Sequence, residues 1–88
     1  MKTATLQLNA LLGDIPEELT MQTKLSFDIS DRIDQLMRQN GLSKKQFAVA
    51  MGRRPSEVTK WLSGQHNFTI ATIAKLSTFF GEPIISVV

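Results

Sequence analysis

The chain has no cysteine among its 88 residues. Disulfides and cysteine-ligated zinc are therefore excluded, and a reducing, cytoplasmic compartment is the expected setting. A single histidine, His66, excludes a multi-histidine metal site. No apolar run approaches the roughly 20 residues that span a bilayer. The N-terminus carries Lys2 but no apolar signal core, so neither a membrane span nor a secretion signal is expected. No paired acid and base, phosphate-cradling glycine loop or metal set is readable, so no enzymatic activity and no cofactor are expected. The length excludes a barrel or a doubly wound sheet and fits one domain. A chain this short buries roughly 60–65% of its unfolded surface, and dimerisation would supplement its modest stability.

What is present is an ordinary globular composition, 42% hydrophobic and 20% charged. The net charge of +2 hides a marked division. Residues 1–34 hold Lys2, Lys24 and Arg32 against Asp14, Glu17, Glu18, Asp28, Asp31 and Asp34, a balance of −3. Residues 35–64 hold Arg38, Lys44, Lys45, Arg53, Arg54 and Lys60 against Glu57 alone, a balance of +5. In residues 65–88, Lys75 and Glu82 cancel. The basic stretch suits a polyanion. Charge alone also allows a solvated basic face with no partner.

The pattern of apolar residues and breakers predicts a compact all-α bundle of about five helices. Leu8, Leu11 and Leu12 suggest a short helix ended by Gly13, although Thr3 to Leu8 also alternates as a strand does. Pro16 is read at a first helical position with Glu17 and Glu18 in the first turn, where carboxylates favour the positive end of the helix dipole. Met21, Leu25, Ile29, Ile33 and Leu36 continue at helical spacing. One long helix from Pro16 to about Gln39 accommodates them, or two helices with a break near Ser26. Asn40-Gly41 terminates the segment. Ser43 and Gln46 form a capping-box pattern, with Leu42 placed to pack on Phe47. The helix that follows stops at Gly52. Another runs from Pro55 to about Ser63, with Val58, Trp61 and Leu62 inward and Ser56, Thr59, Lys60 and Ser63 left over. Thr69 caps a last helix to Phe80, for which Ile70, Ile73, Ala74 and Leu76 supply the apolar face. Gly81 and Pro83 end it, and the β-branched Ile84, Ile85, Val87 and Val88 favour a short extended tail. The chain thus divides into an N-terminal arm or helical extension (1–25), a central domain (26–82) and a tail (83–88).

The middle of the chain has the spacing of a helix-turn-helix. Ala48 lies four residues before Gly52; Val58 and Trp61 lie six and nine after it. A small residue lets two helices cross closely, and glycine lets the backbone turn through the left-handed region. Val58 and Trp61 would hold the second helix on the first. Gly41-Leu42-Ser43-Lys44-Lys45-Gln46-Phe47-Ala48, Met51-Gly52 and Ser56-Glu57-Val58-Thr59-Lys60-Trp61-Leu62-Ser63-Gly64 together resemble the phage repressor and Cro group, the Xre-type helix-turn-helix domains, over about residues 27–82. Lys60 to Gly64 with His66-Asn67-Phe68-Thr69 further resembles the regulators encoded beside toxins as antitoxins.

The resemblance implies a lambda repressor-like fold and a sequence-specific regulator of transcription, in particular a repressor, bound to double-stranded DNA as a homodimer. In the family the residue after the N-cap of the first of these two helices braces a phosphate, which here is Lys44. The start of the recognition helix reads base edges in the major groove; here those residues are Arg54, Pro55 and Ser56, with Lys60 one turn on. The loop Gln65–Thr69 would face the sugar-phosphate backbone. The expected contact set is Ser43, Lys44, Arg53, Arg54, Pro55, Ser56, Thr59, Lys60, Ser63 and Asn67. Two departures stand out. Arg53 occupies a position that is usually apolar and half-buried. Pro55 stands where glutamine often reads adenine, which shifts base reading to Arg54, Ser56 and Lys60.

Other roles are open for several of these residues. Glu57 suits either a cytosine amino group or the helix dipole. His66 reads as a loop hydrogen-bonder, and Asn67 as a turn cap or a phosphate ligand. Trp61 reads as core. The acidic 14–34 segment reads as a solvated face or as a surface for a basic partner. The competing function is that of an antitoxin, which would grip a toxin protein by the N-terminal segment or the Ile84–Val88 tail and also bind its own promoter.

Overall fold

The computed structural model describes residues 16–87. The described residues are all-α, with four helices and no strand: α1 (Glu17–Gln39), α2 (Lys44–Met51), α3 (Pro55–Leu62) and α4 (Ile70–Phe80). The helix expected before Gly13 lies outside the described residues.

Helix α1 is continuous through Ser26. Pro16 stands one position earlier than expected, at the N-cap, because its ψ of 147° is extended. Its carbonyl accepts from Leu19 N and Thr20 N and starts the ladder. At the far end, Gly41 at φ 62° lets two backbone bonds close the helix. Gly41 N donates to Arg38 O and Leu42 N to Met37 O, the pairing that a left-handed residue after a helix permits. The same arrangement ends α2 around Gly52, where Gly52 N donates to Val49 O and Arg53 N to Ala48 O. The predicted capping box is present: Ser43 Oγ accepts from Gln46 N at 3.1 Å, and Gln46 Oε1 accepts from Ser43 N at 2.9 Å. Thr69 caps α4 by accepting from Thr72 N at 3.1 Å.

One core joins the four helices. It is built from Ile29, Ile33, Leu36 and Met37 of α1, Phe47, Ala48 and Met51 of α2, Val58 and Trp61 of α3, Leu76 of α4, and Ile84. Phe47 stands at its centre, its ring 6.0 Å from that of Trp61, 5.6 Å from Phe79 and 5.4 Å from Phe80. Leu42, ahead of the α2 cap, packs on this core partly buried, as do Leu62, Ile73 and Phe80.

Two apolar faces differ from expectation for one geometric reason. A residue advances about 100° around a helix, so a step of four overshoots a full turn by about 40°. Along α1 that drift carries Leu25 and Met21 off the face of Ile33, and they are 48% and 55% exposed. Ser26 and Ser30 take the inward positions instead. In α4, Ile73 and Phe80 lie within about 60° of Leu76, whereas Ile70 and Ala74 point about 120° and 160° away. Ile70 is accordingly 84% exposed and Ala74 is exposed. The tail forms no strand among the described residues; Ile84 is tucked into the core, with its amide donating to Ser77 Oγ at 3.1 Å. Arg32 anchors the approach to it through Pro83 O and Glu82.

Candidate nucleic-acid interface

Helices α2 and α3 and the turn between them form the candidate site. Ala48 is fully buried at the centre of the pair, and Gly52 turns the chain at φ 67°. Arg54 takes the N-cap of α3 with an extended backbone, and Pro55 opens the helix where no amide hydrogen is required. Val58 and Trp61 face inward, and α3 rests on both α1 and α2. The remaining face of α3 is open to solvent: Pro55, Ser56, Thr59, Lys60 and Ser63 are all exposed.

The hydroxyls on this face are engaged to different degrees. Thr59 Oγ1 donates to Pro55 O at 3.1 Å. Ser63 Oγ donates to Lys60 O at 2.7 Å and accepts from Gln65 N at 3.1 Å, so it ties off the end of α3. Ser43 Oγ accepts within the capping box. Ser56 makes no hydrogen bond to the described residues and faces outward.

The charges divide as the sequence divides them. Lys44 and Lys45 stand exposed in the first turn of α2, which holds no acidic residue. Among the described residues no carboxylate lies in ion-pair range of Lys44, Lys45, Arg54 or Lys60. Arg53 differs: it is exposed rather than half-buried, and its Nη1 pairs with Glu57 Oε2 at 3.4 Å. Glu57 thus stands in the first turn of α3 with an arginine beside it. Two acidic groups of α1 are tied within their own helix, Asp28 to Lys24 at 2.7 Å and Asp34 to Arg38 at 3.0 Å.

A groove of about 450 Å³ runs between α3 and the start of α4. Arg54, Ser56 and Lys60 line one side, and His66 and Thr72 the other. Sequence reasoning missed Thr72, because only the fold brings α4 alongside α3. His66, read as a hydrogen-bonder, instead sets its ring edge-on against Phe68 at 4.7 Å. Asn67 is exposed and caps no turn among the described residues.

A close-crossed helix pair with a left-handed glycine between its members, and one cationic face turned outward, is the architecture of a helix-turn-helix domain. The family model described as "Helix-turn-helix" matches residues 33–86. That span is more than half of the chain, which belongs to the Xre-type helix-turn-helix family of DNA-binding transcription regulators. No curated protein and no solved structure matches the chain. No group of three or more His, Cys, Asp or Glu side chains that could hold a metal is found among the described residues. No helix among them is long and apolar enough to cross a membrane.

Proposed function

We propose that the protein is a sequence-specific repressor that binds double-stranded DNA as a homodimer, laying the 55–63 helix in the major groove. The observation that carries this reading is the outward face of α3. It offers Ser56 and Lys60 to solvent, with the unpaired Arg54 at its N-cap, while the unpaired Lys44 stands exposed in the first turn of α2. The one carboxylate near the α3 face, Glu57, is held by Arg53. Residues 26–82 are assigned as the DNA-binding unit, with 1–25 as an arm and 83–88 as a tail.

Contacts divide by chemistry. Lys44, at the N-terminus of α2, braces a phosphate as a point charge, with Ser43 beside it. Two lysines at the positive end of a helix dipole are unfavourable in the free protein, and a phosphate there relieves both. Arg54, Ser56 and Lys60 read base edges, the two cations favouring the paired acceptors of guanine. Arg53, Pro55, Thr59, Ser63 and Asn67 lie against the duplex around them. Two α3 helices in a dimer would enter successive major grooves about 34 Å apart.

Binding-site selection from random duplexes at stated salt concentrations tests the reading. Affinity for the selected site is expected to fall steeply with salt, since each phosphate neutralised adds about 0.9 to the slope of log K against log salt. Replacing Ser56 or Lys60 is expected to change which sequence is selected. Affinity that does not respond to salt removes the proposal.

The antitoxin reading has a specific observation in its favour. Leu19 and Phe27, each 45% exposed, put apolar surface on the first half of α1 along a groove of about 340 Å³ that reaches Gly64 and Gln65. A toxin held there would leave the α3 face free for the promoter. The tail contributes less than expected, because Ile84 belongs to the core. A gene neighbourhood without a toxin-like reading frame would remove this second reading.

A further inference from the structure

Ser30, in the middle of α1, is 3% exposed and touches nothing that binds DNA directly. Its hydroxyl nevertheless holds the exit of α3. Ser30 Oγ donates to Trp61 O at 2.6 Å and accepts from Gly64 N at 3.1 Å. Trp61 O is one of the last-turn carbonyls that a helix leaves without an internal partner. Gly64 N is the first buried amide after the helix. One side chain therefore satisfies an acceptor and a donor on either side of the point where α3 ends. From the same helix, one turn earlier, the Phe27 ring closes over Gly64; a Cβ there would lie 2.3 Å from its carbons.

We propose that Ser30 is a positioning residue for DNA binding. It fixes the direction of the 65–69 loop relative to α3, so that loop and helix meet the duplex together. The proposal rests on the DNA-binding reading above. The loop leaving Gly64 carries His66 to the far wall of the groove opposite Arg54 and Lys60 and ends at the Thr69 cap of α4. Without the hydroxyl, Trp61 O and Gly64 N are buried and unpaired. Such groups are restored only by water, and water enters only if the loop lifts from α1. The outer face of α3 is unaffected, because Val58 and Trp61 still hold the helix by packing.

The test compares wild type with Ser30→Ala by fluorescence anisotropy on the selected operator across a salt series, well below each protein's unfolding midpoint. Operator affinity is expected to fall about tenfold. The slope of log K against log salt is expected to fall in magnitude by about 0.9 for each phosphate contact the loop loses. The ranking of operator variants is expected to stay the same. Ser30→Thr, which keeps the hydroxyl, is expected to restore the slope. A role confined to stability would lower the midpoint and leave the slope of the folded protein unchanged, and that result overturns the proposal. If Ser30→Ala does not fold, Ser30→Cys, of similar size and with a weak hydrogen-bonding group, takes its place. If neither folds, the hydroxyl serves the whole domain and the proposal is likewise overturned. A wild-type protein that binds no duplex at all refutes the DNA-binding reading itself, a result distinct from an unchanged slope in the variant.

Discussion

Reversing the charge of Lys44 is expected to make the protein more stable and worse at binding DNA. Helix α2 begins with Lys44 and Lys45 and has no acidic residue in its first turn. Both lysines therefore oppose the positive end of the helix dipole. A charge in the first turn contributes about 0.3–1 kcal/mol at low ionic strength. Lys44→Glu removes an unfavourable charge and adds a favourable one, a combined gain of about 1 kcal/mol. For a domain of this size a change of 1 kcal/mol moves the midpoint by about 4–8 °C. The capping box stays intact, since its partners are Ser43 and Gln46. Thermal unfolding followed by circular dichroism at low salt is expected to show the rise, and added salt should shrink it. Anisotropy titrations with operator and unrelated duplex are expected to weaken together, because a phosphate contact carries no sequence information. A lower midpoint at low salt would refute the dipole reasoning. Unchanged affinity for both duplexes would refute the placement of Lys44 against a phosphate.

Two further substitutions probe the frame that holds the site. Gly64→Ala places a methyl group 2.3 Å from the Phe27 ring at a backbone φ of 82°, so a loss of more than about 2 kcal/mol is expected from strain and clash together. Adding Phe27→Ala should recover the clash but not the backbone strain, which a double-mutant cycle in urea measures; additivity of the two changes would show that they do not meet. Phe47→Ala empties the centre of a four-ring cluster at a site with no exposure. The expected cost of about 3–5 kcal/mol approaches the whole stability of a small domain, so loss of the cooperative transition at 37 °C is the expected outcome in calorimetry. A midpoint near that of wild type would contradict the central place of Phe47.

Much of the helix framework was legible because its signals are local. Ser43 with Gln46, Gly52, Pro55, Thr69 and Gly81 mark caps and turns through bonds and backbone angles that span at most one turn of chain. Ala48, Val58 and Trp61 were legible as the contact between α2 and α3 because two short helices joined by a tight turn have few ways to pack. The inward faces of the longer helices were read less well. Met21 and Leu25 were read inward from apolar character and helical spacing, and Ile70 and Ala74 from apolar character, but their angular offsets from Ile33 and Leu76 turn them away from the core.

What the sequence determined by itself is the three helices α2, α3 and α4, the cationic stretch and the helix-turn-helix spacing. Each follows from residues close together along the chain, whose geometry the backbone enforces locally. Only the tertiary structure decided that Ser26 and Ser30 face inward, that Ile84 joins the core, and that Thr72 shares a groove with Lys60. Ser30 meets Trp61 and Gly64 across 31 and 34 residues of chain. No periodicity carries such a pairing, because it exists only once α1 and α3 have packed and left one donor and one acceptor facing the same hydroxyl.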